Sequence, residues 1–546
     1  YHRASNDCAC FLSSLYAKLL VVAALVLLVT EFLPNRIPLL FFQGYLLSYL
    51  LGGAVLFLVN VYVILAVKKL LRKNSTPSIS RDNHVPDSLN RGPIYASNVS
   101  IYLRIGVLVF GTGNLVFLGM EAAALFSTKT SCVGQLTLLQ PILQGVFTLL
   151  QMHFLLINVK IIIKSLGWLR HVIIMHLIVA NLIVWFQLII RETAREWQMV
   201  DHVTIQSTSE YPLHTHTVTV HTFDEKGAHQ VFTSPVCRWQ ELKPSNKEET
   251  MALFDCIKNS TAGDVWWKAS PFLHPFLIQY SLLAAMICHF FWANIDYTNQ
   301  DGEYEVFKVS NTNTSPFWKV DCQKAYVGLF SGILLLIATL VILIIVLLPE
   351  SHGIIGFDSL LTLAIFHCAI LGFSVIVIFV GLIQIRQLRP ELWKNTGTNG
   401  LFLHIGILAV HAYGILTLIV GGSKLNSKYH LISCIDGALL LLHSCLQSLF
   451  IHQMERSSCG GEEQLKQKRP GREIVTFLAL SNGALWAVET FTSQNHLTSQ
   501  LQLEFYGVIP WGIFSRVLIP LVSYYRFQCF VVLMDASKYT YKHNRG

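Results

Sequence analysis

The chain has 546 residues, 53% of them hydrophobic and 13% charged, with a formal net charge of +8. Soluble domains carry about 25% charged residues, so half that supply, with a mean hydropathy of +0.50, excludes an ordinary soluble globule. Many windows of about 20 residues hold no charge, the length that crosses roughly 30 Å of hydrocarbon as a helix, whereas barrel strands would be short and alternating.

In chain order the apolar runs predict twelve spans, at about 16–34, 42–67, 101–127, 137–159, 168–190, 272–295, 325–348, 357–384, 401–421, 431–452, 473–491 and 505–534. The third holds Arg104 and Glu121. The chain opens on Tyr and reads as trimmed or partial. Its first apolar run is too long for a cleaved signal, and no clear small-residue cleavage site follows it.

Basic residues set the orientation. Lys68, Lys69, Arg72, Lys73, Arg81 and Arg91 lie between spans 2 and 3; Lys160, Lys164 and Arg170 between 4 and 5; Arg386, Arg389 and Lys394 between 8 and 9; and KQKRPGR between 10 and 11. The opposite loops hold fewer: Arg36, Lys129, and Lys424 with Lys428. Both termini are therefore expected in the cytoplasm, and the positive charge is mostly this bias, with no nucleic-acid partner implied.

One large extracellular insertion is expected at about 191–271. Its HTHTVTVHTF alternation predicts a β-ribbon, and it carries Cys237, Cys256 and the sequon at Asn259. Two cysteines on the oxidising side suggest a Cys237–Cys256 disulfide, with Cys132 as a competitor. Sequons at Asn74, Asn98 and Asn313 fall on the predicted inside.

The spans repeat. LLQMHFLL in span 4 and CLQSLFIH in span 10 share Leu-Gln-x-x-Phe, at Gln151 and Gln447. Spans 5 and 11 share Asn-x-x-x-Trp, at Asn181 and Asn482, and spans 6 and 12 share Pro-x-x-x-x-Tyr, at Tyr280 and Tyr525. Three matches six spans apart, in one order, predict a parallel repeat about an axis along the bilayer normal. The expected organisation is an N-terminal six-helix half over 1–300, a cytoplasmic linker over 301–320 and a C-terminal half over 321–546.

Amides buried in hydrocarbon need partners, so Gln151, Asn181, Gln447 and Asn482 face other helices or water. Helix–helix bonding, worth roughly 0.6–2 kcal/mol each, is the plain reading of any one of them. Ionisable groups at membrane depth cost more and mark ion or proton paths: Glu121, Glu192, His404, His411, Asp436, His443 and Arg516. Asp436, His443 and Gln447 share one face of span 10 by their spacing, and could either carry protons with water or pair with another helix. His289 and His367 are read as packed. In the outer loops His214 and His216, two apart on a strand, suit a weak Zn²⁺ site. Those two and His496 are among the loop histidines that could sense acid.

The ordered set TFLALSNGALW (476–486), FYGVIPWGIFSRVLIPLVSYYRF (505–527), VANLIVW (179–185), LHPFLIQYSL (273–282), LLLLHSCLQSLFI (439–451) and VFLGMEAAALF (116–126) resembles the otopetrins, a family of twelve-span proton channels. The resemblance implies two six-helix barrels per subunit, a homodimer in the plasma membrane, and H⁺ conduction opened by external acid. It also implies Zn²⁺ as a modulator only, and sterol or lipid between halves. It assigns Glu121, Gln151, Asn181, Glu192, Gln447, Asn482 and Tyr525 to the proton pathway; the residue reading adds Asp436, His443 and Arg516. Gln279, Gln528 and Arg516 depart from the family's titratable positions and mark a divergent, non-vertebrate member. A secondary transporter shares the twelve-span, two-half plan, although loop 2–3 lacks the Gly-rich Asp-Arg signature of major-facilitator carriers; a non-conducting scaffold is the other alternative. No nucleophile, phosphate-cradling or dense Cys/His motif points to an enzyme.

Overall fold

In hydrocarbon no water meets the backbone amides, so an apolar run must close its own hydrogen bonds as a helix. The computed structural model describes residues 2–32, 41–74, 99–128, 135–156, 169–208, 257–258, 260–293, 324–347, 357–390, 399–459, 463–492 and 497–541. In order these give α1 (His2–Phe32), α2 (Phe41–Asn74), α3 (Ile101–Ser127), α4 (Gln135–Leu156), α5 (Leu169–Thr208), α6 (Thr261–Ala293) and α7 (Tyr326–Leu347). After α8 (Phe357–Ile385) come β1 (Arg389–Pro390), α9 (Asn399–Ser423), α10 (Lys428–Glu455), β2 (Ser457–Ser458), α11 (Glu463–Lys468), α12 (Arg472–Phe491), α13 (Leu497–Tyr506) and α14 (Val508–Tyr539). Twelve of the described helices, α1–α10, α12 and α14, are long and apolar enough to cross a membrane. The protein is an all-α polytopic membrane protein.

Several ends differ from the sequence reading. α5 continues past 190 to Thr208 and α6 begins at Thr261, so helix occupies both edges of the insertion expected over 191–271. The α6 start is earlier than 272 because Ser260 caps it, its Oγ accepting from Gly263 N at 3.0 Å, and Pro271 is tolerated inside the helix. The last span begins at Val508, where Gly507, at φ +85°, separates α13 from α14; that conformation favours glycine. The HTHTVTVHTF stretch, His214, His216, His496, Cys132, Cys237, Cys256 and Asn259 lie outside the described residues.

Neighbour order is cyclic and recurs. α1 packs on α5, α5 on α6, α6 on α3, α3 on α4, α4 on α2 and α2 on α1. Then α7 packs on α12, α12 on α14, α14 on α9, α9 on α10, α10 on α8 and α8 on α7. Counting only membrane spans, a shift by six turns the first ring into the second. The rings meet where α14 crosses α3, α5 and α6 and α12 touches α6. Aromatic side chains fill this seam: Phe110 lies 4.9 Å from Phe527 and 5.7 Å from Trp486, centroid to centroid. The short β1–β2 pair ties the segment after α8 to the end of α10.

Candidate functional site

The second ring holds a connected set of ionisable side chains at membrane depth. They come from four helices that turn them inward: Asp436 and His443 from one face of α10, His367 from α8 and Arg526 from α14, all buried, with Glu489 of α12 nearly so. The His367 imidazole bonds the Asp436 carboxylate, Nδ1 to Oδ1, at 2.7 Å. Its other nitrogen lies 3.7 Å from Oε1 of Glu489. That same oxygen accepts from Arg526 Nε at 2.9 Å. Arg526 Nη1 in turn lies 3.0 Å from His443 Nδ1. Cys368 adds a thiol donor to Asp436 at 3.5 Å. Acid, imidazole, acid, guanidinium and imidazole thus run in sequence across four helices.

This order fixes a tautomer. A guanidinium only donates, so His443 Nδ1 accepts from Arg526, the ring is neutral, and its proton sits on Nε2. That Nε2 is buried without a hydrogen-bond partner, as are Arg526 Nη2 and Glu489 Oε2. One turn further along α10, both amide atoms of Gln447 are buried and unbonded, as is Asn482 Oδ1 on α12. Buried polar atoms normally have partners, protein or water, so a cluster of unmet ones around a line of charges describes a place that attracts water. Tyr525, fully buried, stands beside Arg526, whose Cζ is 5.7 Å from the phenol ring centre.

The first ring is built differently. Its charged pairs join the C-terminal part of α3 and the N-terminal half of α6 to α5: Arg191 Nη2 donates to Glu121 Oε1 at 2.8 Å, and Glu192 Oε1 lies 3.2 Å from His274 Nε2. Deeper along α3, Asn114 donates to Thr148 Oγ1 at 3.1 Å. Tyr280 OH reaches the Thr148 carbonyl at 3.2 Å and Gln151 Oε1 at 3.4 Å, while Gln151 Nε2 meets the Cys288 sulfur at 4.0 Å. Between the two levels stands buried Phe117, 4.9 Å from the His274 ring and 6.3 Å from Trp266. Aromatic side chains therefore stand between these ion pairs and the amides deeper along α3 and α4.

The sequence-predicted residues fall into groups. Asp436 and His443 belong to the ionisable chain, with Gln447, Tyr525 and Asn482 next to it along their own helices. Asn181 and Asn482 adopt the same arrangement, each donating to the carbonyl four residues back, at 2.7 and 2.8 Å. Glu121 and Glu192 share the ion-paired level of the first ring, through Arg191 and His274, and Gln151 belongs to the amide level with Tyr280. Arg516 is half-buried and stands ten residues, about 15 Å, along α14 from Arg526. His367, Glu489, Arg526, Arg191 and His274 were not singled out by the sequence reading. Glu489 and Arg526 had a signal: each is a formal charge inside an otherwise apolar window, in AVETF and YYRFQ. Gln528 lies on the seam, donating to Tyr524 OH at 2.8 Å and to the Met286 sulfur at 3.2 Å. Among the described residues no group of three or more His, Cys, Asp or Glu converges as a metal site.

The protein-family model described as Otopetrin matches residues 102–527. The chain is 29% identical over 584 aligned residues to the Drosophila melanogaster protein named "Proton channel OtopLc", covering 99% of this chain and 36% of that one. It is 21% identical to the Mus musculus and 20% to the Homo sapiens "Proton channel OTOP2", each alignment covering 80% of this chain and 81% of the relative. The chain thus spans about a third of the fly relative's length and about four fifths of the mammalian ones.

Proposed function

The chain belongs to the otopetrin family, and from that premise we propose that it is a proton channel whose conducting file runs through the second helix ring. One observation carries the choice of route: the Asp436–His367–Glu489–Arg526–His443 chain, fully inside the ring and bordered by unbonded polar atoms. Ionisable side chains at this depth are costly and typically belong to proton relays. Imidazole between two carboxylates suits the task, since His367 can receive a proton at one nitrogen and release one from the other. Gln447, Asn482 and Tyr525 orient water beyond that point, and external acid opens the path by protonating outer carboxylates or histidines. Glu121 and Glu192 of the first ring are among the outer carboxylates that external acid protonates to open the path. The same reading extends to a homodimer in the plasma membrane with cytoplasmic termini, two six-helix halves joined by 301–320, sterol or lipid between them and Zn²⁺ as a modulator.

Proton current under a pH gradient, in cells with measured surface expression, tests the route. Asp436→Asn is expected to cut the current by at least about tenfold, as loss of an essential proton-transfer group does, with Glu192→Gln reducing it less. Unchanged current in both variants removes these residues from the route. A reversal potential that follows another solute instead would favour a transporter.

A further inference from the structure

We propose that Arg526 is the residue that sets ionic selectivity, a fixed guanidinium that keeps metal cations out of the file while protons pass beside it. This inference rests on the proton-conducting reading. It does not follow from that reading, because a line of carboxylates alone would favour any small cation.

Arg526 is the largest fully buried side chain in the described protein. A guanidinium stays protonated at any physiological pH, so its charge is constant whatever the state of the file. It is held from two sides. Glu489, on α12, accepts at 2.9 Å, and His443, on α10, accepts at 3.0 Å. The His443 ring is neutral by the donor argument above, so among the described residues the anion bonded to Arg526 is the Glu489 carboxylate. At this level a dehydrated Na⁺ or K⁺ would meet a like charge and the bonded edge of a neutral imidazole. Positive side chains of this kind block cation passage where they line a narrow polar path.

A proton needs no such room. Glu489 Oε2 carries no hydrogen bond, and His367 Nε2 lies 3.7 Å from the companion oxygen. Once that gap closes to hydrogen-bond distance, the transfer from carboxylic acid to imidazole breaks one O–H bond and forms one N–H bond, leaving the guanidinium in place. His367 then returns the other ring proton to Asp436, 2.7 Å away. The charge crosses on the carboxylate side of Arg526 without any ion sliding past it. The buried Nη2 has no hydrogen-bond partner, which leaves a further donor to favour the lone pairs of water and repel cations.

The test compares wild type, Arg526→Lys, Arg526→Gln, Glu489→Gln and the Glu489→Gln/Arg526→Gln double variant of the full chain, by reversal potential under opposed Na⁺ and pH gradients with surface protein quantified. Wild type and Arg526→Lys are expected to follow the pH gradient alone. Arg526→Gln is expected to raise the Na⁺-to-H⁺ permeability ratio by at least about tenfold, the effect of removing one nearby like charge. Should Arg526→Gln fail to reach the surface, the double variant is read against Glu489→Gln alone, its Na⁺ permeability expected to be at least about tenfold higher. A surface-expressed Arg526→Gln that still follows pH alone or passes neither ion, or a double variant no more permeable to Na⁺ than Glu489→Gln, overturns the inference while leaving the proton-channel reading standing. A wild type without proton current overturns both.

Discussion

At the scale of single residues, the Glu489–Arg526 pair shows what a buried charge requires. Removing one member of a buried ion pair strands the other, typically at a cost of about 3–5 kcal/mol, whereas replacing both with apolar groups is often neutral. Glu489→Gln should therefore lower the melting temperature of detergent-solubilised protein, and Glu489→Leu/Arg526→Met should recover most of the loss. A double variant no more stable than Glu489→Gln would show that the pair is not the unit that matters. Asp436 and His443 were legible because their seven-residue spacing lies within one helix. His367 was read as packed, and Glu489 and Arg526 passed over, because what makes them a site is proximity across helices. No spacing within α8, α12 or α14 encodes that proximity. The repeat steered attention the same way: it highlights residues that both halves share, and these charges occur in one half only.

Whole elements obey simpler rules, and more of them could be read in advance. Hydropathy placed all twelve membrane helices, including 101–127 with its two charges, since Arg104 and Glu121 leave a long apolar run between them. What hydropathy missed was where helices continue beyond the apolar run, as α5 and α6 do, since Glu192, Glu196 and Asp264 end an apolar window without ending a helix. The α7–α12 contact illustrates how small residues set an approach. A Cβ on Gly328 would fall 1.9 Å from the Glu473 carbonyl oxygen, and one on Gly332 would fall 2.4 Å from Leu480. Gly328→Leu is thus expected to push α7 off α12 and lose folded, dispersed protein in size-exclusion chromatography, whereas the same change at Gly372, which has open space, should be tolerated.

The end of α14 offers a second test at this scale. Tyr541 OH donates to the Pro470 carbonyl at 2.7 Å, Gly471 N donates to Gln384 Oε1 at 3.0 Å, and Cys459 N donates to the Thr540 carbonyl at 3.2 Å. The ends of α8 and α14 and the start of α12 are stapled together, with β1–β2 adding the end of α10. Burial pushes the Tyr541 phenol upward, and the nearby Cys459 adds to it against the opposing Arg472. A group raised above its unfolded value, about 10 for tyrosine, contributes stability that is whole below that pH. That contribution fades as pH climbs through the folded ionisation. Tyr541→Phe should cost about 1 kcal/mol at neutral pH and flatten the fall in melting temperature between neutral pH and pH above 10. An equal alkaline slope in both proteins would locate that fall elsewhere.

Across the whole molecule, the two rings share a packing order and differ in chemistry. Three motifs recur in register in the sequence, and Asn181 and Asn482 repeat even their bond to the preceding turn. The difference was not legible, since Gln151 and Gln447 look alike in sequence. Gln151 sits among Tyr280 and Cys288, beneath the Phe117 ring, in a set of groups that answer one another. Gln447 has no bonded partner for either amide atom and continues a line of charges. A polar side chain whose partners are protein can be replaced by an apolar isostere at the cost of a few bonds, each roughly 0.6–2 kcal/mol. One whose partners are water in a conducting file takes the water with it. Gln447→Leu is therefore expected to reduce proton current by at least about tenfold, as a broken relay does, while leaving the melting temperature nearly unchanged. Gln151→Leu is expected to do the reverse, lowering the melting temperature modestly with current per surface molecule within about twofold of wild type. Equal loss of current in both would mean that the first ring conducts as well, and loss at Gln151 alone would move the route there, whatever the charges in the second ring do.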